Sequence, residues 1–371
     1  MAVSSLPFRE GIRRRVKTGA GRLKLIMALI DLKSLDKPSM EEFVKNEGLP
    51  AYRARQLIHW IYEKNVTDIG DITEISKPMR EKLAGKARIG ALTVKKRLVS
   101  EDGTEKYLLG LEDGNSIESV LIGTDADAPD SCLTLCVSSQ VGCAIGCRFC
   151  LTGKMGFIRN LRPHEIVEQV LCAQRLIRPR KITNIVFMGM GEPLNNLENV
   201  SEALRRLTEF VGLSRRRITL STSGIIPGIL ELPRVAPLVN LAISLNAATD
   251  EVRSMIMPVN RKYGLAPLLQ ALRRFPLPGR SRITFEYVLL GGVNDTDEDA
   301  ARLVRLLRGI PSKVNLIPFN EHEGAGFRAP SADRVLAFQK ILTGARVTAF
   351  IRKSKGADIL AACGQLRAEY T

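Results

Sequence analysis

Aromatic side chains are scarce in this chain: 5% of residues are Phe, Tyr or Trp, and Trp60 is the single Trp. A stacking platform of the kind that grips single-stranded nucleic acid through base faces is therefore not evident. No apolar run reaches about 18 residues, so no segment reads as a membrane span. Acidic groups are in deficit, with 39 Asp and Glu against 55 Lys and Arg. The resulting formal charge of +16 favours a polyanionic partner. Seven cysteines are odd in number and moderate for the length, which argues against a secreted disulfide framework and suits a reducing cytoplasm.

With 371 residues, 45% of them apolar, the chain has material for one large domain plus an accessory one. Residues 1–31 read as a flexible basic tail rich in Arg and Lys. The apolar stretch LKLIMALI that ends it superficially resembles a signal peptide. It is too short, lacks a small-residue cleavage site and stops at Asp31 and Lys33. The expectation is a cytoplasmic protein, with Met27 as an alternative start. Residues 32–88 carry helical periodicity, including Leu57, Ile58, Ile61 and Tyr62 on one face. His59, beside them, reads as an ordinary core or surface histidine. Arg53, Arg55, Lys64, Arg80 and Lys82 make this helical module a candidate RNA contact, with a solvated basic face as the plain alternative. Residues 89–131 change to period two, broken by turns at Glu101–Gly103 and Glu112–Gly114 and ending in the polar linker DADAPDS. They predict a short antiparallel meander bridging the helical module to the main body, residues 132–371.

From Cys132 onward apolar strands alternate with amphipathic helices. The strands LTLCV, NIVFMG, RITLST, NLAISL, ITFEYVLL, KVNLIPF and RVTAFI are apolar nearly throughout, as strands of a parallel sheet covered on both faces are. Six or seven such units are too few for a closed eight-fold barrel, so the fold class is α/β, an open partial (β/α)6 barrel. Functional groups in such folds gather at the C-terminal ends of strands. Those ends supply Gly191 and Glu192, then Ser221, then Ser244, Leu245 and Asn246, then Asn320. Each alone has a capping or turn role as its plain alternative. Their convergence on one rim raises them to a candidate binding set.

The densest chemical signal follows the first of these strands, in CVSSQVGCAIGCRFC. Cys143, Cys147 and Cys150 stand in C-x3-C-x2-C spacing within eight residues. Three thiolates so close converge on one soft metal centre if the backbone curls around it. A closed zinc site would recruit a paired fourth ligand, and neither His164 nor Cys172 is paired. An iron–sulfur cube with one iron left open fits better.

C-x3-C-x2-C with Phe149 before the last Cys resembles the signature of radical S-adenosylmethionine (AdoMet) enzymes. The wider stretch CVSSQVGCAIGCRFCLTGKMGFIRNLRPHEIVEQV is similar to one branch, the RlmN/Cfr family of RNA adenosine methyltransferases. The stretch SSQVGCAIGCRFCLTGKMGF and the N-terminal module resemble the RlmN side. The resemblance implies a radical-SAM barrel with a 4Fe-4S cluster held by Cys143, Cys147 and Cys150. It implies AdoMet contacts from Gly191, Glu192, Ser221, Ser244, Leu245, Asn246 and Asn320, although Asn246 stands where many relatives carry His. It makes Cys136 and Cys363, in CVSSQVGC and AACGQL, catalytic, whereas taken alone each would be a buried small hydrophobe, the reading kept for Cys132 and Cys172.

The chemistry implied is methylation of carbon 2 of adenosine in 23S rRNA and certain tRNAs, using two AdoMet per turnover. Carbon 2 is electrophilic, so simple displacement from AdoMet fails there and a radical route is required. Cys363 first takes a methyl. After radical activation that carbon joins the base, Glu118 takes the base's proton, and Cys136 releases the product by forming a disulfide with Cys363. The family implies a reductant such as flavodoxin, and a monomeric state is expected. The alternatives are a Cfr-type enzyme acting at carbon 8 and, from a different class, a non-catalytic RNA-binding protein with a structural metal.

Overall fold

The structure is a computed structural model and describes residues 13–16, 24–27, 29–123, 132–322 and 324–367. The chain divides into two compact units, residues 1–91 and 92–371.

In the smaller unit, helices form where the sequence supplies starts. Helix α1 (Lys37–Asn46) begins at Asp36, whose carboxylate accepts from the Ser39 N–H at 2.9 Å, with Pro38 in the first turn. A cap of this kind contributes about 1 kcal/mol. Helix α2 (Tyr52–His59) widens into a π-turn over Trp60–Lys64 and stops at Asn65, which is left-handed at φ 58°. Helix α3 (Lys77–Ala84) again has Pro in its first turn. Leu57, Ile61 and Tyr62 are buried as the periodicity predicts, whereas Ile58 is half-buried. His59 pairs with Glu63 one turn on, Nδ1 to Oε2 at 3.2 Å, an ordinary surface role. Of the basic tail, Arg13–Val16 and Lys24–Met27 pair as antiparallel strands. Apart from these and residues 29–31, the tail lies outside the described residues.

The larger unit is built on one sheet. Its strands are β1 (Thr93–Val99), β2 (Glu105–Gly110), β3 (Ser116–Ile122), β4 (Thr134–Cys136), β5 (Asn184–Phe187), β6 (Ile218–Thr222), β7 (Asn240–Ser244), β8 (Ile283–Leu289), β9 (Ser312–Pro318) and β10 (Ala349–Ile351). They lie side by side in chain order. Strands β4 to β10 are all parallel, as expected for apolar runs separated by helices. The crossovers carry, in order, α4 (Leu151–Lys154) with α5 (Pro163–Leu176), α6 (Leu197–Glu209), α7 (Ile226–Val235), α8 (Asp250–Ile256) with α9 (Leu265–Arg273), α10 (Asp297–Leu307) and α11 (Ala332–Gly344). Six β/α units and a closing strand make the partial barrel that the sequence pattern implied. Helix α8 was not foreseen.

The meander differs from a bridge between domains. Strands β1 to β3 are antiparallel, with turns at Gly103 (φ 77°) and Gly114 (φ 89°). Strand β3 then pairs with β4, setting Val120 opposite Cys136. The meander thus continues the barrel sheet, and the boundary between units falls between Ala91 and Leu92. The physical reason is that β4 would otherwise offer an unpaired edge, which β3 satisfies. The linker DADAPDS, residues 125–131, lies outside the described residues.

Period-two alternation decides what the barrel encloses. Thr284 and Glu286 of β8, Asn315 of β9 and Cys136 of β4 line a cavity of about 620 Å³, while their neighbours Phe285, Leu316 and Leu135 are buried in the core. Strands β3 and β9 both line that cavity although five strands separate them in the sheet. The sheet is therefore rolled, with polar groups inward.

Candidate active site

The three-thiol loop leaves the barrel from a short ribbon in which Gln140–Gly142 pairs with Phe157–Asn160. Gly142 (φ 75°) is obligatory there, since a Cβ would lie 2.0 Å from the Gly156 carbonyl oxygen. The Cys143 N–H donates to that oxygen at 2.7 Å, and the Cys150 N–H donates to the Cys147 carbonyl at 3.1 Å. Cys147 and Cys150 pack against an apolar cluster that includes Phe149, Met257 and Phe319. Burial pushes the Cys143 thiol up to about 12. Burial also raises Cys147, and the charges of Cys150 and Cys143 raise it further. As free thiolates, these groups would be costly. A bound cationic centre reverses that cost, which is what metal ligation by deprotonated Cys requires. Among the described residues no three His, Cys, Asp or Glu side chains close around a single metal ion; the three thiols share one short loop, and their donor chemistry is that of cluster ligation by thiolates.

Beside the loop, strand β5 ends in MGMGEP. At Gly191 (φ 100°) a Cβ would lie 2.5 Å from the Gln140 side chain, so only glycine lets the two segments meet. The Glu192 N–H donates to Gln140 Oε1 at 2.8 Å. Its carboxylate accepts from the Leu194 N–H at 3.0 Å and the Ser223 N–H at 2.7 Å. Burial raises the Glu192 carboxyl above its ordinary value, and these bonds oppose the rise. The result is a buried carboxylate at the strand ends, suited to an ammonium group. Ser221 and Leu245 are buried and Ser244 is half-buried at the ends of β6 and β7.

Asn246 is left-handed (φ 59°), a conformation Asn tolerates better than most residues. Its Oδ1 accepts from the Val288 N–H at 2.9 Å and its Nδ2 donates to Met257 Sδ at 3.2 Å. The side chain thus ties β7 to β8, a physical reason for Asn rather than His. Asn320 accepts from the Ser354 hydroxyl and, alone of the seven strand-end candidates, lines the 620 Å³ cavity.

Cys136 and Cys363 both line that cavity, and all seven cysteines are free thiols. Cys363 is accessible from the cavity yet enclosed by protein, and burial pushes its thiol up to about 11, with the charge of Glu286 adding to the rise. Burial and the charge of Cys363 also raise Cys136. The tail is docked on the thiol loop: the Leu151 N–H donates to the Gly364 carbonyl at 2.7 Å and the Thr152 hydroxyl to the Leu366 carbonyl at 2.6 Å. Glu118, on β3, accepts from the Arg367 N–H at 2.7 Å. The structure therefore brings Cys136 and Cys363 to one cavity, which Glu118 does not line; Glu118 instead meets the tail four residues past Cys363.

Two groups escaped the sequence reading. Arg253 of α8 is fully buried and donates to the carbonyls of Ser223 (2.6 Å), Leu245 (2.9 Å) and Ser244 (3.3 Å), capping the ends of β6 and β7. Its charge lowers the cost of a Cys147 thiolate, and burial holds the guanidinium down at about 10. The available signal was an arginine sharing the stripe of Ile256 and Met257 at helical spacing. Ser223 Oγ is buried beside Glu192, and its hydroxyl opposes the rise that burial imposes on that carboxyl.

A rolled sheet of this design, with its thiol loop after the first parallel strand, marks a radical S-adenosylmethionine enzyme. Residues 137–304 match the model of the Radical SAM superfamily. The crystal structure of a radical SAM methyltransferase from Sphaerobacter thermophilus matches with TM-score 0.86 and 45% identity, covering 92% of this chain and all (100%) of that one. Residues 30–89 match the model of the ribosomal RNA large subunit methyltransferase N-terminal domain.

The chain belongs to the RlmN family of radical SAM methyltransferases. It is 54% identical over 341 residues to the dual-specificity RNA methyltransferase RlmN of Geobacter sulfurreducens, covering 91% of this chain and 92% of the relative. To the protein of the same name from Syntrophobacter fumaroxidans it is 52% identical over 347 residues, covering 93% and 100%. It is an enzyme, and the reading as a non-catalytic binding protein falls away. Among the described residues no helix is long and apolar enough to cross a membrane.

Proposed function

We propose that this chain methylates carbon 2 of adenosine in 23S rRNA and in tRNA, passing the methyl through Cys363. The observation that carries the reading is that two thiols outside the C-x3-C-x2-C loop, Cys136 and Cys363, line one cavity. The relatives' shared description as dual-specificity RNA methyltransferases supports the substrates.

Cys143, Cys147 and Cys150 would hold a 4Fe-4S cluster, which would supply the electron for reductive cleavage of AdoMet to methionine and the 5′-deoxyadenosyl radical that activates the methyl carbon. Glu192, with Gly191, Ser221, Ser244, Leu245, Asn246 and Asn320, holds AdoMet at the strand ends, the carboxylate taking the amino group. Cys363, as thiolate, attacks the methyl carbon of one AdoMet, its S–C bond forming as S-adenosylhomocysteine leaves, and becomes S-methylcysteine; a second AdoMet is consumed per turnover. Joining the base to the Cys363 methylene leaves a radical adduct, which would return one electron to the redox centre held by Cys143, Cys147 and Cys150 while Glu118 accepts the proton that carbon 2 loses. Cys136, fixed on β4, then attacks the Cys363 sulfur as thiolate. The S–S bond forms as the S–C bond breaks, and the departing carbon takes a proton to become the new methyl. An external thiol reduces the disulfide before the next cycle. The small unit, with Arg53, Arg55, Lys64, Arg80 and Lys82, contacts RNA. The enzyme works as a cytoplasmic monomer with a flavodoxin as electron donor, and its target base is extruded from its stack.

The test is expression in a strain lacking this modification, followed by mass analysis of nucleosides from both RNAs. The expected product is 2-methyladenosine in each. 8-Methyladenosine instead assigns the chain to the Cfr type, and no methyladenosine from protein that cleaves AdoMet overturns RNA as its substrate.

A further inference from the structure

The tail segment that carries Cys363 is gripped at both ends by one ion pair on the meander. Lys106 on β2 and Glu118 on β3 are both buried, at 9% and 6% side-chain exposure, with Nζ 3.2 Å from Oε1. In the β2–β3 register Lys106 faces Val120 and Leu108 faces Glu118, so the two charges are diagonal neighbours on one face. Lys106 Nζ also donates to the Leu360 carbonyl at 3.1 Å, three residues before Cys363. Glu118 Oε2 accepts from the Arg367 N–H at 2.7 Å, four residues after it. Leu360 is left-handed at φ 53°, which a leucine adopts only when its surroundings hold it there. Nearby, Asp102 accepts from the Gly356 N–H at 3.0 Å and Asp358 accepts from the Ser100 hydroxyl at 2.5 Å, so the β1–β2 turn holds the same loop from outside.

We infer that Lys106 is a positioning residue that fixes Glu118 and the Cys363 segment as one unit. The inference rests on the roles proposed above for Cys363 and Glu118. It goes beyond them in assigning the meander a task, which is to set the distance between the methyl-carrying sulfur and the carboxylate. Both Glu118 oxygens are engaged here by the clamp, so losing Lys106 displaces the carboxylate and releases one end of the tail. It leaves the thiol loop and the strand-end rim untouched. The defect therefore falls on the use of the methyl group, not on cluster assembly or AdoMet binding. Displacing reacting groups by about 1 Å costs up to about a hundredfold in rate.

The test compares Lys106→Met and Lys106→Arg in the full chain with the wild-type protein. Cluster absorbance near 400 nm and AdoMet cleavage should match wild type. In Lys106→Met the yield of methyladenosine per 5′-deoxyadenosine should drop by about tenfold or more, and Lys106→Arg, which keeps a donor and the charge, should recover most of it. In cluster-free protein, iodoacetamide should alkylate Cys363 about tenfold faster in Lys106→Met, the effect of losing one buried charge-assisted bond. If Lys106→Met fails to fold, Lys106→Gln is read by the same two ratios. Wild-type coupling together with wild-type alkylation in the folded variant overturns the inference. A wild-type protein whose Cys363 never carries a methyl overturns the underlying reading instead, so the two failures are distinct.

Discussion

Arg253 gives the sharpest check on how the strand-end rim is held. Its guanidinium, fully buried, makes three short bonds, to the carbonyls of Ser223 (2.6 Å) and Leu245 (2.9 Å) and to Asn260 Oδ1 (2.8 Å). Two longer ones, both 3.3 Å, reach the carbonyls of Ser244 and Tyr263. Arg253→Met keeps the volume and orphans these acceptors. Counting the three short bonds at about 1–2 kcal/mol each gives roughly 3–6 kcal/mol. Removing a buried charge returns about 1–2 kcal/mol of desolvation, leaving a net loss of about 1–5 kcal/mol. That is a large share of a typical domain stability of about 5–15 kcal/mol. The probe must report on the barrel, and Trp60 fluorescence would report on the smaller unit. Amide hydrogen exchange in β6 and β7 reads the right place, and protection there should fall about 5- to 5,000-fold. Arg253→Lys should recover only part, because an ammonium cannot reproduce the planar fork. Unchanged protection in the Met variant would refute the clamp and leave the sheet alone holding the rim.

Three further outcomes follow from the same geometry. Cys136→Ala should still acquire the methyl on Cys363 but accumulate enzyme covalently bound to RNA, seen as a shifted band on a denaturing gel; normal turnover would remove the two-thiol route. Gly142→Ala places a Cβ 2.0 Å from the Gly156 oxygen and should yield folded, colourless protein with iron below a tenth of wild type by metal analysis. Brown protein with full iron would show that the ribbon yields more than its geometry implies. Burial lifts Cys363 from 9.0 to about 11, so less thiolate is present at any given pH below that value. Its alkylation rate in cluster-free protein should therefore rise about tenfold per pH unit through pH 9 and level near 11. Levelling near 9, as for a free peptide, would contradict the enclosure.

How much of this was legible depended on how local each signal is. Cys143, Cys147 and Cys150 are readable because eight residues hold the whole motif and the chemistry fixes the spacing. The seven parallel strands are readable because mainly apolar runs separated by amphipathic helices imply a sheet covered on both faces, even though β8 and β9 set alternate polar residues toward the cavity. Cys136 and Cys363 lie 227 positions apart in sequence, and no spacing rule joins them; only resemblance to a known family suggested their meeting, and the barrel cavity supplies the physical link. Arg253 was invisible because a charged residue on a short helix reads as surface unless its partners are known. Those partners are main-chain carbonyls at the ends of two strands, with the Asn260 side chain and the Tyr263 carbonyl. Lys106 sat in plain view among the lysines of the meander. Lys95 and Lys96 of β1 are exposed, and only the pairing of β2 with β3 separates Lys106 from them.

The two cavity thiols differ in how they are mounted, and the proposed chemistry needs that difference. Cys136 is on β4, hydrogen-bonded into a sheet on both sides through Val120 of β3 and Val186 of β5, so its sulfur stays in place. Cys363 has to approach the AdoMet methyl, then the base, then Cys136, and a strand could not supply three positions. It rides instead on a turn between Gly356 and Gly364, both left-handed, secured by single bonds at Leu360, Gly364, Leu366 and Arg367. Single bonds of about 1 kcal/mol net can open one at a time, whereas a ladder yields only as a whole. The meander contributes two of those bonds and the thiol loop the other two. Motion of the tail is thereby tied to both the proton acceptor and the radical source, and a change at either should register first in the reactivity of Cys363.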